Sequence, residues 1–480
     1  MTTLSSIRAA VVCARLAAGV VGCAVQAPPA RDAVRKDALQ GAEVRAAWAA
    51  TNEATADANA GQIDDDWLAT FSDVQLTALV NEAILKNPDL RATAARVEQS
   101  AAYATSAQAA LLPWVNLLGT GGIKAGGGAD LSSALSGAML GVSWEPDLWG
   151  RLRYGRNAAD DSYASAQADY EFARQSLAAQ VARSWFIAIE TKLQLEAAES
   201  MAASSRALVS LAQDRQRVGS GSDRDVSLTR AALGTMEDTA RQAELAHTQA
   251  VRSLEILIGR YPAAELEVAT RLTEMPGPVP VGMPLDMLER RPDIIAAERR
   301  VAAAFSRVGE AKAARLPTIR LNASIAALSS DVLTLQDDYN NPSGGAGGTF
   351  FAPLYHGGDL QARVELRTAE QKEAVARYGS QVLRALGDVE NALAASEILA
   401  RRVTILGQVV SDQQKALDYE QASYRVGRAD MRAVQQQQQQ LQAAQINYLR
   451  ARSEELSQRV NLHLVLGGSF AEPIELAAAD

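Results

Sequence analysis

The chain has 480 residues, room for two to four ordinary domains or for one repeated architecture, and it is 48% hydrophobic but only 5% aromatic. Much of that apolar content is Ala, which suits closely packed helices better than a bulky core. A formal net charge of -9 and a pI near 5.2 argue against a nucleic-acid partner, which needs a surplus of Lys and Arg.

Residues 1–22 read as an export signal, with Arg8 in a short leader followed by a small-residue, mostly apolar stretch. Val20-Val21-Gly22-Cys23 resembles the lipobox of bacterial lipoproteins, in which the cysteine becomes the lipidated first residue; Arg15 interrupts the apolar stretch, so a plain signal peptide, or none, is the alternative. Cys13 and Cys23 are the two cysteines, which leaves the body of the chain without a disulfide or a Cys-based metal site. Residues 23–62 are rich in Ala, Pro and charge without sustained period, and are expected to be a lipidated linker or a segment lying on another surface.

Order is expected from Trp67 and Phe71. Leu76, Leu79, Val80, Ala83 and Ile84 follow the spacing of an amphipathic helix, which should kink or break at Pro88 and run to about Ala110. Leu112-Pro113 ends it. Val115, Leu117 and Ile123 then alternate with Asn116, Thr120 and Lys124, Gly126 to Gly128 turn the chain, and Leu131 to Trp144 return as the second half of a hairpin.

The chain then begins again. Pro88 and Pro292, Arg96 and Arg300, and Pro113 and Pro317 are each 204 residues apart. Tyr170 and Tyr378, Gly219 and Gly427, and Gly259 and Gly467 are each 208 apart, so four residues were added in the second copy between Pro317 and Tyr378. Two repeats follow, 63–275 and 276–470, each helix, hairpin, long helix and return helix, with a C-terminal tail at 471–480.

The second hairpin is plainer in pattern. After Leu316-Pro317, Ile319, Leu321, Ala323, Ile325 and Ala327 alternate with Arg320, Asn322 and Ser324. Candidate strands of about 9 to 13 residues are long enough to cross a bilayer when tilted, though the same pattern fits a hairpin on a soluble sheet. No run of 18 or more apolar residues occurs after the N-terminus, so a membrane role would have to use strands.

Leu152 to Gln216 and Leu360 to Tyr424 contain no proline, and a continuous helix of that length reaches roughly 100 Å. Each run stops at Arg-Val-Gly, and a second helix of about 40 residues returns. The glutamine tract Gln435 to Gln440 is expected to be a polar stretch of the last helix.

Four membrane-crossing strands cannot close a barrel, and an open sheet edge in lipid leaves N–H and C=O groups unpaired at several kcal/mol each. Closure has to be shared between copies of the chain.

The enzyme class lacks a signature. His247, His356 and His463 stand far apart, no Walker A lysine or Gly-x-Ser-x-Gly turn occurs, and the glycine clusters Gly126 to Gly128 and Gly344 to Gly348 are expected in hairpin turns. No catalytic, cofactor or metal residue is assigned.

Leu112-Pro113, the run from Ser143 to Arg153, Gly259-Arg260-Tyr261-Pro262, Leu288 to Arg300, Leu316-Pro317, Gly357-Gly358 and Tyr424-Arg425-Val426-Gly427 together resemble the TolC-type outer-membrane efflux proteins. The resemblance spans Trp67 to Gly468 and is nearest to the lipoprotein branch that serves resistance-nodulation-division (RND) efflux pumps. It implies a mixed α and β membrane protein: a homotrimer with a 12-stranded outer-membrane β-barrel, four strands per chain, continued by a periplasmic α-helical barrel. It implies a passive exit duct working with a periplasmic adaptor and an inner-membrane RND transporter, lipid-tethered at Cys23.

The resemblance also implies a periplasmic gate at the helix-pair turns Gly219 and Gly427. Tyr424 and Asp225 match the family's tyrosine and aspartate latch. The family's pore-narrowing aspartates are replaced here by Ala433 and Gln436, with Arg428 and Asp430 nearby. A protein-secretion duct of the same fold and a periplasmic coiled-coil adaptor are the alternative readings.

Overall fold

The computed structural model describes residues 25–42, 44–50, 65–121, 136–329 and 342–469. The signal segment with Cys13 and Cys23, the turn at Gly126 to Gly128, and the C-terminal tail fall outside them. Residues group into two compact units: 1–42, 96–167 and 296–380 in the first, and 43–95, 168–295 and 381–480 in the second.

The elements in order are α1 (Arg31–Leu39), α2 (Val74–Lys86), α3 (Pro88–Ala109), β1 (Trp114–Thr120), β2 (Ser136–Trp144), α4 (Arg151–Arg217) and α5 (Asp223–Leu257). There follow α6 (Pro284–Arg290), α7 (Pro292–Ala313), β3 (Thr318–Ser329), β4 (Ser343–Phe351), α8 (Asp359–Arg425) and α9 (Met431–Val465). The duplication holds helix for helix after the first of each repeat: α4 and α8 both have 67 residues, α5 and α9 both have 35, and α3 and α7 both have 22, whereas α2 has 13 and α6 has 7. Gly219 and Gly427 share φ +78°, and Gly259 and Gly467 share φ +76°.

The predicted break at Pro88 occurs at Asn87, which accepts from the N–H groups of Asp89 (2.9 Å) and Leu90 (3.0 Å) and so caps the start of α3. The linker prediction is refined where residues are described. α1 forms within it, and Trp48 is buried with its indole N–H on the carbonyls of Val281 and Gly282.

In the first unit the strands form one antiparallel sheet ordered β1-β2-β3-β4. Residues directly opposite one another share a face. The register lines up Leu117, Leu140, Ile325 and Gly344, and beside them Val115, Val142, Ala323 and Ala346. One face is therefore a continuous apolar band, and it is open: Val115, Leu117, Leu140, Leu321, Ile325 and Phe350 are exposed. The opposite face is mixed: Asn116, Gly141, Ser324 and Gly345 form one row, Asn322 and Gly347 lie on one side of it, and Leu118 and Met139 on the other.

Gly344, Gly345, Gly347 and Gly348 lie within β4, not in a turn as their clustering implies. Glycine weakens a lone strand, but here the ladder to β3 supplies the pairing that local preference withholds.

The run from Ser143 to Arg153 is the joint between sheet and helix. Asp147 accepts from the N–H groups of Leu152 and Arg153 at 3.1 and 3.0 Å and pairs with the Arg153 guanidinium. Trp144 donates to the Leu111 carbonyl at 3.0 Å and Trp149 to that of Pro317, anchoring both hairpins beside their Leu-Pro breaks. Gly309 lets α7 approach α4 closely, since a Cβ there would sit 2.5 Å from the Tyr154 ring.

In the second unit Trp67, Phe71, Leu76 and Val80 pack on Ala182, Trp185, Phe186 and Ile189 of α4, with Leu254 of α5 and Leu456 of α9. Asp73 caps α2 at the Leu76 N–H (3.0 Å) and accepts the Trp185 indole N–H at 2.9 Å. Each return helix ends against the junction that opens its own repeat. Cβ atoms at Gly259 and Gly467 would meet Lys86 at 2.9 Å and Arg291 at 3.2 Å, so only glycine fits both the close approach and the left-handed φ.

Candidate functional site

The two helix-pair turns, α4 to α5 and α8 to α9, belong to the second unit and are built alike. Gly219 donates to Gln216 and Ser220 to the Arg215 carbonyl, while Gly427 donates to Tyr424 and Arg428 to the Ser423 carbonyl. This paired pattern closes a helix on a left-handed glycine. Ser222 then caps α5 through the Asp225 N–H (3.2 Å), and Asp430, 208 residues on, caps α9 through the Arg432 N–H (3.2 Å).

Beneath the turns Met201, Ala202 and Leu208 of α4, Met236 of α5, Leu417 and Tyr424 of α8, and Met431, Val434 and Leu441 of α9 form a small apolar core. Tyr424 is only 4% exposed. Arg215, on α4, is its chief polar neighbour: the guanidinium lies 4.7 Å from the Tyr424 ring centre and donates to the Tyr424 carbonyl at 2.6 Å. Burial pushes the Tyr424 phenol up from its ordinary range; Arg215 opposes this, and Asp225 and Asp430 add to it. The hydroxyl therefore stays protonated across the physiological range.

Asp225 is half-buried and near enough to act on the phenol, with no hydrogen bond joining the two side chains among the described residues. Asp430 is exposed and faces Arg432 at 3.4 Å. Arg428 is exposed and makes no ion pair among the described residues, Ala433 is half-buried, and Gln436 is exposed. Asp214 pairs with Arg217 and Gln216 with Asp223 on the outer surface of the first turn. Such exposed pairs contribute little.

The glutamine tract is helical, as expected, yet not wholly solvated. Gln438 is 1% exposed, and its Nε2 has no hydrogen-bond partner, nor has that of Gln442 or the hydroxyl of Ser205. Sequence reasoning missed Arg215. The repeat offered no signal: Ser423 stands 208 residues on, but the copies also differ at Gln216 and Tyr424, Ser220 and Arg428, and Asp225 and Ala433, and only Arg217-Val218-Gly219 recurs in Arg425-Val426-Gly427.

A family model described as outer membrane efflux protein matches residues 79–260 and 284–468. The chain is 30% identical over 422 residues to the pyoverdine export outer membrane protein OpmQ of Pseudomonas putida, covering 85% of this chain and 88% of that one. It is 30% identical over 421 residues to the toluene efflux pump outer membrane protein TtgF of Pseudomonas putida, covering 84% and 85%. Among solved structures, the outer-membrane channel OprN superposes with TM-score 0.80 at 24% identity, covering 93% of this chain and 100% of that one. The open state of the Neisseria gonorrhoeae MtrE channel gives TM-score 0.77 at 22% identity, covering 93% and 98%.

Proposed function

This chain belongs to the outer membrane efflux protein family, and on that premise we propose that three copies join their four-stranded sheets edge to edge into one 12-stranded barrel. It is the outer-membrane channel of a tripartite efflux pump, reaching into the periplasm, and not an enzyme. The observation that carries the shared barrel is the sheet itself. β1 and β4 are its edges, and its apolar band is exposed on the single chain. In lipid an unpaired edge is untenable, and joining copies removes every edge.

In this reading the apolar band faces lipid and the Asn116, Asn322 and Gly347 face lines the water-filled passage. Lipid on Cys23 tethers each copy to the outer membrane. A periplasmic adaptor and an inner-membrane RND transporter complete the assembly and supply the energy. The cargo is drugs or other small toxic solutes, in keeping with the toluene named for one relative. The turns at Gly219 and Gly427, with Asp225, Tyr424, Arg428 and Asp430, form the periplasmic closure, Tyr424 and Asp225 acting as its latch.

The test is deletion of the coding region in its own host. Raised intracellular accumulation of a fluorescent pump substrate, restored by the wild-type chain, is expected. The chain in outer-membrane fractions should run as a heat-modifiable trimer and incorporate labelled palmitate, with C23S losing the label. Unchanged solute accumulation together with loss of a secreted protein would favour a protein-secretion duct; a detergent-free soluble monomer would leave the adaptor reading.

A further inference from the structure

Arg215 sits in the last turn of α4, where a cation already complements the carbonyl end of its own helix. Its guanidinium reaches two helix ends at once. One nitrogen donates to the Ser220 carbonyl at 3.3 Å, just beyond α4, and another to the Tyr424 carbonyl at 2.6 Å, in the last turn of α8. The Tyr424 carbonyl also accepts the Gly427 N–H at 3.0 Å, so the arginine adds a second donor to the bond that closes the α8 turn. The Tyr424 ring beneath it, buried in the apolar core, fixes the plane of the fork.

We propose that Arg215 is a positioning residue of the periplasmic closure, clamping the end of α8 to the end of α4, and that the clamp runs one way only. The second copy carries Ser423 where the first carries Arg215, so it has no arginine at the equivalent position to return the contact. One side chain thus ties two turns otherwise related by the duplication, through a main-chain carbonyl that no substitution at position 424 removes. Withdrawing that fork frees the α8 turn without unfolding either helix, because each keeps its own glycine closure. The inference rests on the reading of these turns as the closure.

The test is single-channel conductance of the full-length trimer in planar bilayers, with the heat stability of the trimer as a fold control. Losing a charge-assisted hydrogen bond and the ring contact is expected to raise open probability about tenfold in R215A. R215K, whose ammonium keeps the charge but lacks the planar fork and the flat face that stacks on the Tyr424 ring, should fall between R215A and wild type. R217A, at an exposed position whose ion pair is with Asp214, should match wild type. If R215A does not assemble, R215K carries the comparison.

A second arm separates the clamp from the closure. R428C is treated with a bulky charged thiol reagent, with the reagent on wild type as control. Unchanged conductance in R215A and R215K, with conductance altered by labelling R428C, overturns the clamp and leaves the closure at the turns. No change in either arm places the constriction elsewhere and overturns both.

Discussion

Asn87 and Arg291 occupy the same position in the two repeats and do the same job with different chemistry. Asn87 Nδ2 donates to the Leu257 carbonyl at 2.9 Å, and Arg291 Nη1 donates to the Val465 carbonyl at 3.2 Å. Leu257 and Val465 are themselves equivalent, each ending a return helix. In both halves the junction before the repeat's proline therefore caps the last helix of that repeat. The second solution buries a charge, which must be compensated: Arg291 pairs with Asp293 through bonds of 3.0 and 2.8 Å, and Gln381 donates to the same carboxylate at 2.7 Å.

Breaking that pair is expected to be costly. R291A strands a buried carboxylate and should destabilise the fold by about 3–5 kcal/mol, whereas N87A loses neutral caps and should cost about 1–2 kcal/mol. Thermal unfolding followed by circular dichroism in detergent compares them. Burial alone would push the Asp293 carboxyl up, but the Arg291 guanidinium, the Gln381 amide and the Ile294 N–H together hold it below its ordinary value. Its contribution is therefore present above the unfolded pKa of 3.8 and lost as pH falls through the lower folded value, a loss that D293N should not show.

His463 is expected to weaken the protein in mild acid. It lies buried with its ring stacked on Trp67 at 6.0 Å; burial, and secondarily the Arg459 charge, pull its pKa from 6.5 to about 4. The folded state thus resists a proton that the unfolded state accepts below 6.5. Stability is full above that pH and declines by up to about 3 kcal/mol as pH falls towards 4. In H463Q the slope of melting temperature against pH between 6.5 and 4 should be shallower; an identical slope would assign the acid loss to other groups.

Substitutions on the two sheet faces are expected to separate. Leu140 and Ile325 are paired on the apolar band, and lysine there should cost about 2–4 kcal/mol at the bilayer midplane and deplete the chain from the outer membrane. Lysine at Ser324, on the opposite face, should assemble normally and shift ion selectivity instead. Immunoblots of membrane fractions and reversal potentials read the two outcomes.

Glu255 is expected to hold the loop after α5. Its carboxylate, in a residue only 2% exposed, accepts the N–H groups of Ala264, Glu265 and Leu266 at 2.7, 2.8 and 3.0 Å. Ala264 keeps a left-handed φ of 61° in that cradle. E255A leaves three donors without their acceptor, so cleavage after Arg260 by trypsin should speed up well before global unfolding. E255Q retains one acceptor oxygen and should lie between.

Much of the architecture was legible because it rests on local rules that repeat. Pro88 and Pro292, the Leu-Pro breaks and the glycine stops at 219, 259, 427 and 467 act through backbone geometry alone, and two copies of each made the pattern readable without any knowledge of packing. The long proline-free runs and the alternation after Leu316-Pro317 are of the same kind.

Other features depend on partners far along the chain. Gly344 to Gly348 became strand because β3 pairs with them, and Gln438 was buried because α9 turns it inward beside Val434 and Leu441. The clamp from Arg215 to Tyr424 spans 209 positions and uses a main-chain oxygen, which has no residue identity to search for. Periodicity and stop signals are properties of neighbouring residues and survive in one dimension. Which face is covered, which amide goes unpaired and which cation caps a distant helix are decided only when the packed chain brings those groups within hydrogen-bonding reach.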